Sequence, residues 1–339
     1  MQFVDRWVTS VVDADHILVA DTGSTDGTAT ELLRHHVSVA NIVIKPFRFD
    51  DARNAALALM PSDLDVVIAL DMDEIMTTGW RENLEQCWTA DCTRLRYQYI
   101  WSWTVGGEPD LQYYGDKITG RHTHRWRHPV HEVMIPTIPE VQQFCHKVLI
   151  EHHADSKKPR GQYLNLLRLA VSEDPFDDRN AHYLGREFYF NRMYDDSISE
   201  LQRHLALPQA QWNVERAASM RYIAKCYEAK GDIQSAGNWF IRATLEAATR
   251  ESLIDAARFQ LAHQNFYAVI AYCEQALQLA ACDSYMNERY ARAEGPYDLA
   301  AVAYFHIGDR MKAIEYAKIA IERNPHDLRL KTNLAMMGA

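Results

Sequence analysis

The sequence predicts two domains of different fold class. Residues 1–155 are expected to form an α/β domain with a mostly parallel sheet, and residues 156–339 an all-α domain of repeated helix pairs. In the first part short apolar runs alternate with helix-like segments, whereas the second part is helix-forming and repeats one helix–turn–helix pattern. A chain of 339 residues is long enough for two domains of ordinary size.

Composition indicates a folded protein and argues against a membrane protein. Hydrophobic residues make up 47% of the chain and charged residues 24%, which are ordinary values for a globular protein. No apolar run approaches the roughly 20 residues that a membrane helix needs. The first residues also lack the basic and apolar regions of a signal peptide. We therefore expect a cytoplasmic protein without a membrane segment.

Charge is distributed unevenly between the two parts. Residues 1–155 contain 13 Lys and Arg against 23 Asp and Glu, whereas residues 156–339 contain 23 of each. Because a nonspecific nucleic-acid binder needs a surface that neutralises phosphates, the acidic first part argues against nucleic acid as a partner. It suits a site that collects cations.

The cysteine pattern predicts neither a zinc ribbon nor a disulfide framework, because no Cys-x-x-Cys pair occurs. We expect buried free thiols at all six positions: Cys87, Cys92, Cys145, Cys226, Cys273 and Cys282.

The elements of the first part alternate between helix and strand. The candidates in chain order are a helix over 3–12, a strand over 16–20, a helix over 28–36, a strand over 41–45, a helix over 51–60, and strands over 65–70, 93–103 and 147–151. In sheets of this kind ligands bind beyond the C-terminal ends of the strands. Acidic clusters at Asp21 and Asp71 follow two of these strands, so we expect both to belong to a binding site.

The second of these clusters, Asp71-Met-Asp-Glu, predicts a divalent metal site. Asp71 and Asp73 lie one residue apart where a strand passes into a helix, so both carboxylates can turn toward one cation. Mg²⁺ and Mn²⁺ prefer oxygen ligands and share them with a diphosphate. An Asp-x-Asp pair is common, however, and an exposed acidic loop that caps the helix at Thr77 or Thr78 is the alternative.

A glycine-rich string at residues 21–28 strengthens the prediction of a binding site. Gly23 and Gly27 permit tight backbone turns, and Asp26 with its hydroxyl neighbours can cap the helix that follows. Asp21 remains at the strand end to accept hydrogen bonds from a base or a ribose.

These strings together resemble a known family. In their order and spacing, Asp21–Thr28, Phe47–Asn54 and Asp71–Glu74 resemble family-2 glycosyltransferases of the GT-A fold. Further strings resemble a narrower branch that includes peptide S-glycosyltransferases, in which a short GT-A domain precedes tetratricopeptide repeats: Pro129–Glu132, Ile150–His153 and Tyr163–Leu167.

The resemblance implies an inverting, metal-dependent enzyme. A sugar would pass from a nucleotide-diphosphate sugar, with a UDP-sugar expected, to a peptide, protein or other nucleophilic acceptor. Asp71, Asp73 and His152 would hold Mn²⁺ or Mg²⁺, which neutralises the charge on the leaving diphosphate. The residues implied at the nucleotide are Asp21, Thr22, Gly23, Ser24, Asp26, Arg53 and Asp71.

Several of these roles have alternatives. Arg53 would lie at the nucleotide, or pair with Asp26 or Asp51 to fix the loop. Glu132 is the expected general base and His131 a group near the phosphates or the metal, or both brace their loop.

His152 and the adjacent His153 compete for the third metal position, with an exposed histidine pair as the alternative. Aromatic side chains between these motifs would contact the acceptor or serve as packing: Trp101, Trp103, Tyr113 and Tyr114.

After a linker marked by Pro159 and Gly161, one helix–turn–helix junction occurs four times. The copies begin at Arg192, Gly231, Gln264 and Gly308, at spacings of 39, 33 and 44 residues. Each follows an aromatic-rich helix and precedes an alanine-rich one, which resembles tetratricopeptide repeats; a nonrepetitive bundle is the alternative. Such repeats would hold an acceptor peptide or protein, or pair with a second copy of the chain.

One departure from the family keeps a non-enzymatic function open. The family begins with a strand that helps to cradle the nucleotide base, and no residues here precede the helix at Phe3 to form it. The alternative function is therefore an interaction scaffold in which tetratricopeptide repeats follow a degenerate, inactive GT-A remnant. A nucleotidyltransferase, which also uses paired aspartates and a metal, is a third hypothesis, although residues 21–28 fit it less well.

Overall fold

A computed structural model describes residues 1–104, 106–155, 163–280 and 284–338. The chain divides into two compact units, Met1–Ala170 and Val171–Ala339, whereas the sequence places the boundary at residues 155 and 156. The linker predicted at Pro159 and Gly161 lies outside the described residues. Within the described parts, no helix is both long and apolar enough to cross a membrane.

The first unit mixes helices and strands. Its helices are α1 (Val4–Ser10), α2 (Thr28–Arg34), α3 (Phe49–Leu59) and α4 (Trp80–Cys87). Its strands are β1 (Leu18–Asp21), β2 (Ser38–Asn41), β3 (Val66–Ile68), β4 (Glu74–Met76), β5 (Arg94–Trp103), β6 (Pro109–Gly120), β7 (His124–Arg127), β8 (Val133–Pro136) and β9 (Gln142–His152). An α/β unit is therefore present, as the sequence predicts.

The expectation of a mostly parallel sheet is wrong. The described strands form three separate sheets, with orders β1-β2, β3-β6-β5-β9-β4 and β7-β8. Only β1–β2 and β5–β9 pair in parallel, and the other pairs are antiparallel. The physical reason is the short connection between β5 and β6, because a hairpin can join only antiparallel strands.

The core of the first unit lies where α1 and α4 cover the five-stranded sheet. Alternate residues of β5, Leu95, Tyr97 and Tyr99, are buried, as the period of two along a strand requires. They belong to one apolar cluster with Trp7 of α1 and Trp80 of α4. This packing fixes the strands whose ends carry the charged residues described below.

A disulfide between Cys87 and Cys145 corrects the prediction of free thiols at these two positions. Cys87 ends α4 and Cys145 lies in β9, with 5.9 Å between their Cα atoms, a normal separation for such a bond. Packing of α4 on β9 brings together residues 58 positions apart, which no local pattern reveals. Cys92, Cys226 and Cys273 are buried free thiols as expected, and Cys282 lies outside the described residues.

The described part of the second unit is helical. Its helices, with the one that leads into it, are α5 (Tyr163–Glu173), α6 (Asp178–Phe190), α7 (Tyr194–Ala206), α8 (Asn213–Ala229), α9 (Ile233–Glu246), α10 (Arg250–Ala262), α11 (Phe266–Gln278), α12 (Arg289–Arg292), α13 (Gly295–His306), α14 (Arg310–Arg323) and α15 (Leu328–Met336). Helices α6, α8, α10 and α13 contact one another in succession, and α7, α9, α11 and α14 pack against them.

The four junctions predicted from the sequence share one conformation, which confirms the helical repeats. Arg192, Gly231, Gln264 and Gly308 have φ angles of 60°, 79°, 58° and 90°. In each junction the next residue donates its backbone N–H to the carbonyl five positions earlier, as Asp232 does to Tyr227 and Asp309 to Tyr304. This is the left-handed C-terminal cap typical of α-helices.

Small residues let the helices approach closely. Ala224 and Ala236 are fully buried between α8 and α9, and Ala300 and Ala313 between α13 and α14. At Gly185 of α6, an added Cβ would lie 2.5 Å from the Leu201 side chain. The alanine pattern therefore marks the faces on which the repeats stack.

Replacing Gly231 with alanine should lower the free energy of unfolding by about 1 kcal/mol. The left-handed conformation costs a residue with a Cβ about 1–2 kcal/mol, and the smaller entropy of the unfolded alanine variant offsets part of that cost. No atom lies within 4 Å of the added Cβ, so packing does not contribute. Urea unfolding measures the difference, and Gln264→Gly, which relieves the same conformation, should not destabilise the protein. A loss in both variants would contradict the backbone explanation.

Candidate functional site

The carboxylate of Asp71 is held by two cations of the first unit. Arg53 of α3 donates from Nη2 to both carboxylate oxygens, at 2.8 and 3.1 Å. The Lys117 ammonium of β6 donates to Oδ2 at 3.2 Å. Burial alone raises the pKa of Asp71, but the fields of Lys117 and Arg53 outweigh it and hold the pKa well below its ordinary value.

Two more carboxylates complete this charged network. Arg53 Nε donates to Glu132 at 2.6 Å, and Lys117 Nζ donates to Glu74 at 2.7 Å. Glu74 is only 1% exposed and also accepts a hydrogen bond from the Tyr99 hydroxyl. Burial lowers the pKa of Lys117, yet the fields of Asp71 and Glu74 raise it above its ordinary value. The network therefore joins three carboxylates to two cations.

Asp73 and His152 form a second pair beside this network. Asp73 Oδ2 lies 3.5 Å from His152 Nε2. His152 Nδ1 lies 2.9 Å from the Trp101 carbonyl oxygen, and its ring stacks on Trp101 with 4.5 Å between centroids. Burial lowers the pKa of His152, but hydrogen bonding to Asp73 and to the Trp101 carbonyl raises it overall.

The metal set predicted at Asp71, Asp73 and His152 stays a prediction. The oxygens of Asp71 already have two internal cations as partners, and an added ion would compete with them. His153 donates its backbone N–H to the Asp73 carbonyl at 2.7 Å, while its ring contacts Glu151. Among the residues described, the groups of three side chains able to share one ion lie elsewhere, at Asp5, Glu31 and His35 and at Asp178, His204 and Glu215.

The acidic residues of the glycine-rich loop serve local turns. Asp21 accepts a hydrogen bond from the Ser24 backbone N–H at 3.0 Å. Asp26 accepts from the N-terminal ammonium of Met1 at 2.7 Å and from Thr28, and these hydrogen bonds lower its pKa below the ordinary value. Gly23 and Gly27 have φ angles of 117° and 83°, which glycine adopts readily, and the nucleotide contacts expected of this loop stay a prediction.

Arg53 contacts neither Asp26 nor Asp51, the two carboxylates given as its partners if it does not lie at the nucleotide. Its partners are Asp71 and Glu132, whereas Asp26 binds the N-terminus and Asp51 lies 3.6 Å from Arg48. The structure thus joins Arg53 to Asp71 and Glu132, the positions predicted for the metal and the general base.

His131, the residue before Glu132, is in the left-handed region with a φ of 49°. Its ring stacks on Tyr163 with 6.1 Å between centroids. Such a conformation is uncommon for a residue with a Cβ, so the segment that carries Glu132 is held by its surroundings. This agrees with the alternative that His131 and Glu132 brace a loop.

The predicted aromatic cluster packs on and beside the sheet. The Trp103 indole N–H donates to the His152 carbonyl at 2.9 Å, and its ring stacks on His153. Tyr113 packs edge-on against Tyr99, and the Tyr114 hydroxyl lies 2.5 Å from His146 Nδ1. These contacts favour the packing alternative over acceptor contact.

A cavity of about 1040 Å³ separates two sheets of the first unit. It is lined by Leu18–Ala20 of β1 and by Val66–Ile68 of β3, together with Thr22, Arg53 and Asp71. Each of these strands is the end strand of its own sheet, and no described strand pairs with both. A continuous central sheet of the kind that the glycosyltransferase resemblance implies is therefore not formed.

Among known proteins, this chain is similar to helical repeat proteins. No known family model and no curated protein matches the chain. Among solved structures, YrrB, described as a TPR (tetratricopeptide-repeat) protein with an unusual peptide-binding site, is 14% identical over 51% of this chain and 81% of its own, with a TM-score of 0.37. A thermophilic TPR protein of Thermus thermophilus, TTC0263, is 16% identical over 51% of this chain and 88% of its own, with a TM-score of 0.37. Yeast Tom70 is 14% identical over 54% of this chain and 36% of its own, with a TM-score of 0.42.

These comparisons correct the identification made from the sequence motifs. No family model matches the chain, and the similar structures named above are repeat proteins. The identification as a family-2 glycosyltransferase of the GT-A fold is wrong, and the assignment as an enzyme, which depended on it, is withdrawn with it. No support remains for a nucleotide sugar as a partner, and Mn²⁺ or Mg²⁺ as a cofactor stays a prediction. What is shown is a mixed α/β unit followed by tetratricopeptide-like helical repeats.

The second unit contains a cationic and aromatic surface that motif analysis missed. Arg186 Cζ lies 4.5 Å above the ring of Tyr183, and Arg179 Cζ lies 5.5 Å from the same ring. Tyr183 is 6% exposed beneath them. On the next inner helix, Lys225 Nζ lies 5.4 Å from the ring of Tyr222. The sequence signal would have been an arginine and a tyrosine at helical spacing, at positions 179, 183 and 186.

Most other buried cations of this unit have acidic partners. Arg221 donates to Asp255 at 2.7 Å and also contacts Glu288. Lys225 Nζ lies 2.7 Å from the same Asp255 carboxylate. Burial raises the pKa of Asp255, but the fields of Arg221 and Lys225 lower it below its ordinary value. Arg186 differs, because its Nε is buried without a hydrogen-bond partner and no acidic side chain of the described residues pairs with it.

Replacing Lys117 with methionine should lower the free energy of unfolding by about 3 kcal/mol, because removing one partner leaves the buried Glu74 carboxylate without its cation. Chemical unfolding followed by circular dichroism measures the difference. Arg81→Met is the matched control, since Arg81 pairs with Asp15 and Glu85 on the surface and its loss should cost less than about 1 kcal/mol. Equal losses in the two variants would show that water, rather than Lys117, compensates the network.

Proposed function

We propose that this protein is an interaction scaffold whose helical repeats bind an extended acidic peptide segment of a partner protein. The segment would lie on the surface of α6 and α8 that carries Arg186. The observation on which this depends is the Arg186 guanidinium, which stacks on Tyr183 and has no acidic partner among the described residues.

The first argument is energetic. A half-buried guanidinium without a hydrogen-bonded carboxylate has lost part of its hydration without compensation. A carboxylate of a bound peptide would supply a charge-assisted hydrogen bond, which is stronger than one between neutral groups. Arg221 shows the contrasting case, because Asp255 and Glu288 already satisfy it. Arg186 is therefore the cation that is best placed to receive an external anion.

The second argument is geometric. The inner helices α6, α8, α10 and α13 follow one another without interruption by the outer helices, so their exposed residues form one continuous surface. On this surface Arg179 and Arg186 lie over the ring of Tyr183, whereas Lys225 on the next helix is already paired with Asp255. Repeat proteins use such extended surfaces to bind extended segments, and arginine and tyrosine are enriched where binding energy concentrates.

Changing Arg186 to methionine should weaken binding of acidic peptides about 10-fold or more, because a hydrogen bond to a charged group contributes about 1.5–3 kcal/mol. The measurement is fluorescence anisotropy of the full chain with a library of labelled peptides rich in Asp and Glu. The same peptides with every Asp and Glu changed to Asn and Gln test whether charge carries the affinity.

Arg242→Met provides the matched control. Arg242 also covers an aromatic ring, with Cζ 4.0 Å from the ring of Trp239, but it lies on the outer helix α9. This variant should bind like the wild type. Equal weakening by Arg242→Met, or equal affinity for acidic and amide peptides, would contradict the proposed surface.

A further inference from the structure

Three helices of the second unit bring an aspartate, a histidine and a glutamate together. Asp178 is the first residue of α6, His204 lies in the last turn of α7, and Glu215 lies in the first turn of α8. One potential ligand atom from each side chain lies within 4.8 Å of the other two. This group is separate from the charged network of the first unit.

His204 has a buried ring nitrogen without a hydrogen-bond partner. The residue is 0% exposed, and its Nε2 makes no hydrogen bond. The nearest acidic atom, Glu215 Oε1, is 3.4 Å away but outside hydrogen-bond geometry. A buried polar atom left without a partner costs about 1–3 kcal/mol, so such atoms in folded proteins call for an explanation. This nitrogen points toward the carboxylate of the same three-residue group.

The contacts behind His204 orient it for metal binding. Its Nδ1 lies 2.9 Å from the Ser219 hydroxyl, which also lies 2.7 Å from Nδ1 of the buried His182. A hydroxyl donates one hydrogen, so Ser219 can donate to His182 and accept the Nδ1–H of His204. His204 Nε2 then carries a lone pair that faces Glu215, which is the form of histidine that binds metals.

Glu215 is oriented in the same way. Its Oε2 accepts a hydrogen bond from the Tyr285 hydroxyl at 2.8 Å, which leaves Oε1 toward His204. Ligating carboxylates commonly have their second oxygen fixed by such a contact. Two of the three side chains are thus held in place by groups that do not themselves bind the ion.

We propose that Asp178, His204 and Glu215 form a Zn²⁺ site that joins α6, α7 and α8. One imidazole and two carboxylates suit zinc, whereas Ca²⁺ and Mg²⁺ prefer oxygen ligands alone. Bond lengths of 2.0–2.1 Å place neighbouring ligand atoms of a tetrahedral zinc about 3.3 Å apart. The separation of 3.4 Å between His204 and Glu215 fits this value. The half-buried Asp178 needs to approach by at most about 1.5 Å, and a water molecule can take the fourth position.

The full chain, stripped of metal with a chelator, should bind one equivalent of Zn²⁺ in competition with a chromophoric chelator. Asp178→Asn and Glu215→Gln should each weaken binding about 10-fold or more, because each replaces a charged ligand by a neutral amide. Zn²⁺ should also raise the unfolding temperature of the wild type, since a ligand of the native state stabilises it. That increase should be smaller in Asp178→Asn, whose native helicity circular dichroism confirms.

His35→Gln is the control, because Asp5, Glu31 and His35 form the other group of this kind and lie on the surface. This variant should bind Zn²⁺ like the wild type. Loss of binding in His35→Gln, unchanged binding in both Asp178→Asn and Glu215→Gln, or no binding tighter than about 0.1 mM would overturn the proposal.

Discussion

The need to neutralise buried charge governs both units of this protein. A carboxylate or a cation removed from water is stable only when a partner of opposite sign or several hydrogen bonds replace the lost hydration. In the first unit, Arg53 and Lys117 satisfy this requirement for Asp71, Glu74 and Glu132. These contacts join the end of β3 to α3 and to β6, so that the segments around the strand ends have one arrangement.

The same requirement separates structural from functional groups in the helical unit. Asp255 compensates Arg221 and Lys225 between neighbouring helices, and nothing further is needed there. Arg186 and His204 are the contrasting cases, because each has a buried nitrogen without a hydrogen-bond partner. A folded protein tolerates few such atoms, and those that it retains are best explained by a ligand. Both proposals therefore start from a buried nitrogen that lacks a hydrogen bond, and His182 Nε2 is another such atom of this unit.

What the sequence predicts well is local. One residue pattern aligns the four junctions at Arg192, Gly231, Gln264 and Gly308, and all four adopt the left-handed conformation. A helix cap depends on a few consecutive residues, so its pattern is visible in the chain. The direction in which the strands of the first unit pair cannot be predicted in this way. Strand β5 pairs with both β6 and β9 through contacts that no short stretch of sequence contains.

The candidate site shows why a correct local pattern led to a wrong function. Asp71 does follow a strand, and the carboxylates of Asp73 and Glu74 do lie beside it in sequence, as a metal site would require. The cations that pair with Asp71 come from distant positions, since Arg53 is 18 residues and Lys117 46 residues away in the sequence.

An Asp-x-Asp pair at a strand end can bind a metal ion or an internal cation, and the pair itself is the same in both cases. The sign of the charges that the fold brings to it from elsewhere decides between them. The relevant test of such a motif is therefore the set of lysines and arginines that share its buried surroundings, and this set becomes visible only in three dimensions.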